Sequence, residues 1–206
     1  MRSLFTRRIL AANAIRYANA GWPLAPGAWW DHDHNRYRCP AAPCPIAGLH
    51  PAGGPGGGHP PPASVASTDA TTVRAWWSVH NHTLLLPTGF AFDVLEVTAQ
   101  QASHAWKRLH RGGLTIPAAE LPTGRWLLFI APVAALSPSE LPGDVIHHGA
   151  GSYVPAPPST LRRGPVRWTH APWIDGWILP EPQAVIDALA STQPVRATPP
   201  RAAVRL

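Results

Sequence analysis

Apolar residues with helical spacing open the chain. A helix is predicted over about residues 6–20, and its apolar face consists of Leu10, Ala14, Tyr17 and Ala18. Gly21 is expected to end it. Three further helices are predicted: one capped by Asp69 and running through Trp76 and Trp77, one opened by a capping box of Thr98 and Gln101 and reaching about His110, and one from Pro182 to Ala190.

Short apolar or β-rich runs alternate with these helices. The predicted strands are residues 22–25, 83–86, 90–97, 125–130, 152–154 and 166–168. Interleaved strands and helices favour an α/β or α+β domain with a mixed sheet flanked by helices, and we expect it to span residues 1–193. Residues 29–62 lack periodicity, contain both cysteines and are rich in Gly and Pro, so they predict an irregular loop insertion. Residues 194–206 are expected to form a disordered basic tail.

The charge of the chain indicates what kind of partner it binds. The formal net charge is +6, and Lys107 is the only lysine among 17 Lys and Arg residues. Arginine pairs well with phosphate, so DNA or nucleotides are the expected partners, although an Arg-rich composition can also raise the pI without such a partner. No apolar run approaches the roughly 20 residues that span a bilayer, and we expect a cytoplasmic protein without a membrane segment.

The irregular segment carries a cluster of soft metal ligands. His32, His34, Cys39, Cys44 and His50 lie close together in the sequence. Zinc prefers four thiolate and imidazole ligands, so Cys39, Cys44 and His50 with His32 or His34 would complete a structural site. Two unpaired thiols and a disulfide are the alternatives.

Several motifs resemble a known family. They are Ala14-Ile-Arg-Tyr-Ala-Asn-Ala-Gly-Trp-Pro23, Val73-Arg-Ala-Trp-Trp77, Gly149-Ala-Gly-Ser-Tyr-Val-Pro-Ala-Pro-Pro-Ser159 and Val166-Arg-Trp168. Together they resemble the bifunctional DNA primase/polymerase domain of the archaeo-eukaryotic primase superfamily, over residues 9–190. The resemblance implies a primase/polymerase-like fold and template-directed nucleotidyl transfer on DNA with Mg²⁺ or Mn²⁺. Relatives also carry a Cys/His-rich insertion whose end matches Gly48-Leu-His-Pro51.

The acidic motifs depart from the family pattern. The resemblance places a pair of metal-binding acids at Asp93 and Glu96, but they are three residues apart rather than two. A regular strand would aim them to opposite faces, and only a β-bulge would bring them together. The third acid is expected at Ile146, so Asp144 is the nearest replacement. The candidate catalytic set is therefore Asp93, Glu96 and Asp144, an eroded two-metal site.

The expected nucleotide-contacting histidine is also replaced, by Trp126. The candidate residues for binding nucleic acid or nucleotide are Arg108, Arg111, Arg125, Trp126 and His148. The adjacent His147 and His148 are more typical of a surface pair than of a metal site.

Two other functions compete with nucleotidyl transfer. One is a catalytically inactive nucleic-acid- or nucleotide-binding module of the same fold. The other is a zinc-stabilised interaction module in a replication or mobile-element complex.

Overall fold

The computed structural model describes residues 2–41, 44–52, 61–134 and 136–190. The helices are α1 (Arg2–Asn19), α2 (Pro62–Val65), α3 (Ala70–Val79), α4 (Ala99–Arg111) and α5 (Pro182–Ala190). The strands are β1 (Ala25–Gly27), β2 (Trp29–Asp31), β3 (Arg36–Arg38), β4 (Thr83–Pro87), β5 (Asp93–Thr98), β6 (Ala118–Glu120), β7 (Arg125–Ile130), β8 (Ile146–His148), β9 (Tyr153–Pro155), β10 (Thr160–Leu161), β11 (Gly164–Pro165) and β12 (Arg167–His170). None of the described helices combines the length and apolarity needed to cross a membrane.

A five-stranded antiparallel sheet organises the fold. Its strand order is β12-β6-β7-β5-β8, and β5 lies between β7 and β8. The pairing of β5 with β7 runs from Asp93 opposite Ile130 to Thr98 opposite Arg125 without a break in register. A second sheet has the order β1-β4-β9. The expected α+β class with sheets flanked by helices is confirmed. The sheets are not mixed in strand direction, because every described strand pair is antiparallel.

The large sheet separates two hydrophobic cores. Leu95, Val97 and Leu128 point to one side, where they pack with α4 and α5. Val94 and Phe129 alternate with them and point to the other side, towards α1, α3 and the second sheet. Alternation along β5 therefore decides which core each of its polar residues adjoins.

The motifs that carry the family resemblance meet in this second core. Tyr17 in α1 is fully buried. Its hydroxyl donates to the carbonyl of Pro157 at 2.6 Å and accepts from the indole N–H of Trp168 at 2.9 Å. Trp22 stacks on Phe129 with 5.1 Å between ring centroids. The aromatic residues of these motifs are thus core residues, and the polar atoms of Tyr17 and Trp168 bond to each other.

Local signals placed the helix ends well. The Asp69 carboxylate accepts from the backbone N–H of Thr72 at 2.7 Å, as expected for a cap. Thr98 and Gln101 form the predicted capping box at the start of α4. The strand expected at residues 22–25 lies instead at Ala25–Gly27, because Gly21 adopts a φ of 79° and the N–H of Trp22 still bonds to α1.

The segment without periodicity is not wholly irregular. Within it, β2 and β3 form an antiparallel hairpin in which Trp30 pairs with Tyr37 and Asp31 with Arg36. The expectation of an irregular loop was wrong for residues 29–38, because cross-strand pairs stabilise this hairpin without an alternating hydrophobic pattern. Residues 53–60 and the expected disordered tail at 194–206 lie outside the described residues.

Candidate functional site

Asp93 and Glu96 leave β5 on opposite sides of the sheet. Asp93 shares a side with Leu95 and adjoins the α4–α5 core, whereas Glu96 shares a side with Val94. The continuous register with β7 shows no bulge that would turn either side chain. The structure therefore does not bring these two carboxylates together.

Asp93 forms a buried pair with His147. The Asp93 side chain is 0% exposed, and its Oδ2 lies 2.8 Å from His147 Nε2. The backbone N–H of Val133 donates to the same oxygen at 3.3 Å. The other oxygen, Oδ1, is buried without a hydrogen-bond partner among the described residues. A Cβ on Gly149 would lie 2.7 Å from His147 Cε1, so glycine leaves room for this imidazole.

Glu96 and Asp144 bind the same arginine. Arg125 Nε donates to Glu96 Oε1 at 2.6 Å, and its Nη1 donates to Asp144 Oδ2 at 3.4 Å. The remaining amino group of Arg125 donates to the backbone carbonyls of Glu96 and Asp144. One guanidinium therefore ties the loop before β8 to β5.

His148 completes this cluster on the Glu96 side. Its Nε2 lies 3.0 Å from Glu96 Oε2, and its Nδ1 lies 3.1 Å from the Ser152 hydroxyl. The hydrogen bond from His148, followed by that from Arg125, holds the pKa of Glu96 below its usual range despite partial burial. We name Glu96, Arg125, Asp144, His148 and Ser152 the sheet-end cluster.

The expectation that His147 and His148 are a surface pair was wrong. Both imidazoles are partly buried, and each bonds to a different acid on β5. Adjacent residues on a strand point to opposite faces, and so do residues three positions apart. His147 and His148 therefore lie on opposite faces, and each contacts one of the two acids. The alternating directions of the two acids on β5 and of the two histidines on β8 could have predicted both pairs from the sequence.

The residues expected to bind nucleic acid are dispersed. Arg125 and His148 lie in the sheet-end cluster. Trp126 is on the other side of β7, half-buried against the α4–α5 core. Arg108 and Arg111 are exposed in the last turn of α4. No common surface is formed by all five.

The Cys/His segment does assemble. Single ligand atoms of Cys39, Cys44 and His50 lie within 4.8 Å of one another, and no other such group occurs among the described residues. His50 Nδ1 lies 2.7 Å from the carbonyl of Gly48, which can only accept, so Nε2 presents its lone pair 3.4 Å from Cys44 Sγ. Burial, reinforced by Cys44, raises the pKa of the Cys39 thiol to about 11. Both cysteines are thiols rather than a disulfide.

Neither predicted fourth ligand joins this group. His34 Nδ1 instead lies 2.8 Å from Asp31 Oδ2, and the ring of His32 packs edge-on against Trp30. The β2–β3 hairpin carries both histidines away from the cysteines. The Cys/His group itself is tied to the second sheet, because the N–H of Ala28 donates to the His50 carbonyl at 2.8 Å.

These observations define an α+β domain with a polar cluster at the end of its central sheet and a Cys/His group beside its second sheet. A family model described as bifunctional DNA primase/polymerase, N-terminal, matches residues 14–186. The chain belongs to this family. No match was found among curated proteins or among solved structures.

Proposed function

We propose that this chain is a primase/polymerase-fold domain that binds DNA or nucleotides and does not carry out two-metal nucleotidyl transfer. Family membership supports the fold and the class of partner. The observation that carries the proposal is the placement of Asp93 and Glu96 on opposite sides of β5.

Two-metal catalysis has a strict geometric requirement. Two divalent cations about 4 Å apart must be held by oxygen ligands that converge from one side. Mg²⁺ also requires nearly octahedral oxygen coordination, which a lone carboxylate does not provide. Asp93 points into the α4–α5 core, so it does not contribute to a centre that contains Glu96. The residues present do not fit a pair of divalent cations.

The remaining two acids are already neutralised. Arg125 places its guanidinium between Glu96 and Asp144, where a cation would have to bind. Displacing this fixed positive charge would leave the partly buried Glu96 carboxylate facing the exposed Asp144 carboxylate without a counter-ion. The sheet-end cluster therefore acts structurally in this proposal, by fixing β8 and the turn at Ser152 against β5 and β7.

A structural zinc ion fits the Cys/His group. Cys39, Cys44 and His50 offer the soft ligands that zinc prefers, and the bond from His50 to Gly48 orients the imidazole. Zinc bound there would supply folding free energy to a segment with little apolar core. The fourth ligand lies beyond the described histidines, cysteines and carboxylates.

Binding and synthesis are tested on the same purified protein. Fluorescence anisotropy with labelled single-stranded DNA measures binding over a salt series, and primer extension with Mg²⁺ or Mn²⁺ and dNTPs measures synthesis. We expect binding that weakens steeply with salt and no extension product. Extension that is lost in Glu96→Gln would overturn the catalytic part. The absence of salt-dependent DNA binding, together with no dNTP binding in calorimetry, would overturn the binding part.

A further inference from the structure

Two short hairpins that share no residue with the sheet-end cluster meet at the surface. The β2–β3 hairpin contacts the β10–β11 hairpin, whose turn contains Arg162 and Arg163. The backbone N–H of Arg162 donates to the Tyr37 hydroxyl at 3.3 Å. Its guanidinium carbon lies 6.0 Å from the centroid of the Trp30 ring. The turn of the β10–β11 hairpin is thereby held against Trp30 and Tyr37 of the β2–β3 hairpin.

The two hairpins concentrate positive charge. Arg162 and Arg163 are exposed in the turn of one hairpin, and Arg36 and Arg38 project from one face of the other, where the Arg38 side chain is 49% exposed. These guanidinium groups outnumber the carboxylates of Asp31 and Asp33, and Arg38 and His34 already bind Asp31.

A cavity of about 550 Å³ opens next to these cations. Trp29, Trp30 and the buried His82 line it. Asp31 and Asp33 line it as well, and the Asp31 carboxylate is paired with Arg38 and His34. This volume lies within the range of small-molecule sites and accommodates a single nucleobase.

The polar atoms in the cavity are suited to the edge of a base. Burial lowers the pKa of His82 to about 4, so its ring is neutral at pH 7. His82 Nδ1 lies 3.1 Å from the Gly27 carbonyl, which leaves Nε2 as an acceptor. Arg38 adds N–H donors at the rim.

We propose that Trp30, Tyr37, Arg162 and Arg163, named the hairpin surface, bind single-stranded DNA, with phosphates on the two arginines and an unpaired base against Trp30 and the cavity. This inference rests on the proposed function that the domain binds DNA or nucleotides. Aromatic side chains interleaved with cations are the usual means of holding single strands, because every base offers a face for stacking. A paired base within a duplex is not available for the Trp30 ring or the cavity.

The hairpin surface differs from the residues that the sequence suggested. Arg125 uses four of its five N–H donors on Glu96 and Asp144, which leaves a single donor for phosphate. Arg108 lies on α4, which packs against the other side of the large sheet. Arg108 therefore serves as a matched exposed control.

The test measures anisotropy of a fluorescein-labelled oligothymidylate of about 20 nucleotides with wild type, Trp30→Leu, Arg162→Gln, Arg163→Gln and Arg108→Gln. We expect Trp30→Leu to weaken binding about tenfold. Each of the two hairpin arginine variants should reduce the slope of log K against log salt by about 0.7. Arg108→Gln should bind like wild type. Thermal unfolding of each variant distinguishes lost binding from lost folding. The Arg163 side chain is exposed, so Arg163→Gln should leave the fold intact.

The outcomes separate this inference from the proposed function. Wild-type protein that does not bind DNA would overturn the hairpin surface, and wild-type protein that binds neither DNA nor dNTPs would overturn both. Wild-type binding that is unchanged in the hairpin variants, or lost only in Arg108→Gln, would overturn the hairpin surface and leave the proposed function intact. Equal affinity for duplex DNA, or displacement by a single dNTP at a similar concentration, would contradict single-strand binding. Crosslinks from iodinated oligonucleotides to residues 29–38 would support it.

Discussion

Arg125 and Glu96 lie side by side on β7 and β5, with 2.6 Å between Nε and Oε1. Only 25% of the Arg125 side chain and 16% of the Glu96 side chain are exposed. The same guanidinium reaches Asp144 in the loop before β8. An arginine therefore occupies the space in which the family resemblance predicts metal ligands to converge.

Removing this arginine should destabilise the fold. Arg125→Ala leaves the Glu96 carboxylate partly buried without its arginine partner, and we expect a loss of about 2 kcal/mol in the free energy of unfolding. Urea titration followed by circular dichroism measures it. The exposed Arg108→Ala serves as control and should change stability by less than about 0.5 kcal/mol. Equal stability of both variants would show that the Arg125 bonds contribute nothing.

Removing zinc should destabilise the Cys/His segment. We expect purified protein to contain stoichiometric zinc, and chelation to lower the melting temperature by roughly 5–10 °C. Cys39→Ser should lose the metal, whereas His34→Ala should retain it because His34 binds Asp31. Zinc affinity should rise with pH, since the Cys39 thiol must lose its proton. Metal analysis that finds no zinc in wild type, or loss of zinc only in His34→Ala, would refute this site.

His82 should make folding sensitive to mild acid. Its pKa is about 4 in the folded protein against 6.5 for an ordinary histidine, so the unfolded state binds more protons between these values. Stability is then fully present above pH 6.5 and falls as the pH drops towards 4, by about 3 kcal/mol. His82→Gln does not titrate and should flatten this part of the stability profile. Denaturant unfolding at a series of pH values checks the slope, and an unchanged slope in the variant would disprove the assignment.

Gly149 should be required for the buried Asp93–His147 pair. Gly149→Ala places a Cβ against the His147 ring and should cost about 2 kcal/mol by displacing it from Asp93. Gly48→Ala is the control, because no atom lies within 4 Å of the Cβ that it would add.

A double-mutant cycle identifies the cause of this loss. In a His147→Ala background, Gly149→Ala should cost clearly less, since the clashing ring is gone. Additive losses in unfolding free energy would mean that Gly149 acts through something other than His147.

Elements with local signals were predictable from the sequence. The capping box at Thr98 and Gln101 involves residues three positions apart, and Pro182 marks the start of α5 through its own fixed φ. The opposite directions of Asp93 and Glu96 also followed from strand periodicity alone.

Relationships between distant segments were not predictable in the same way. The contact of Arg125 with Asp144 depends on the path of the loop between β7 and β8, which no local pattern specifies. The β2–β3 hairpin depends on the pairing of Trp30 with Tyr37, which has no alternating apolar pattern. The predicted ligands His32 and His34 lie in the turn of this hairpin and do not join Cys39. Their short sequence distance from Cys39 did not reveal that turn.

Titration with Mn²⁺, followed by electron paramagnetic resonance, tests most directly whether Asp93, Glu96 and Asp144 share a cation. Wild type, Asp93→Asn and Glu96→Gln are compared after zinc has been loaded. We predict no Mn²⁺ site that depends on both Asp93 and Glu96. A site in wild type that is lost in each of the two variants would contradict it.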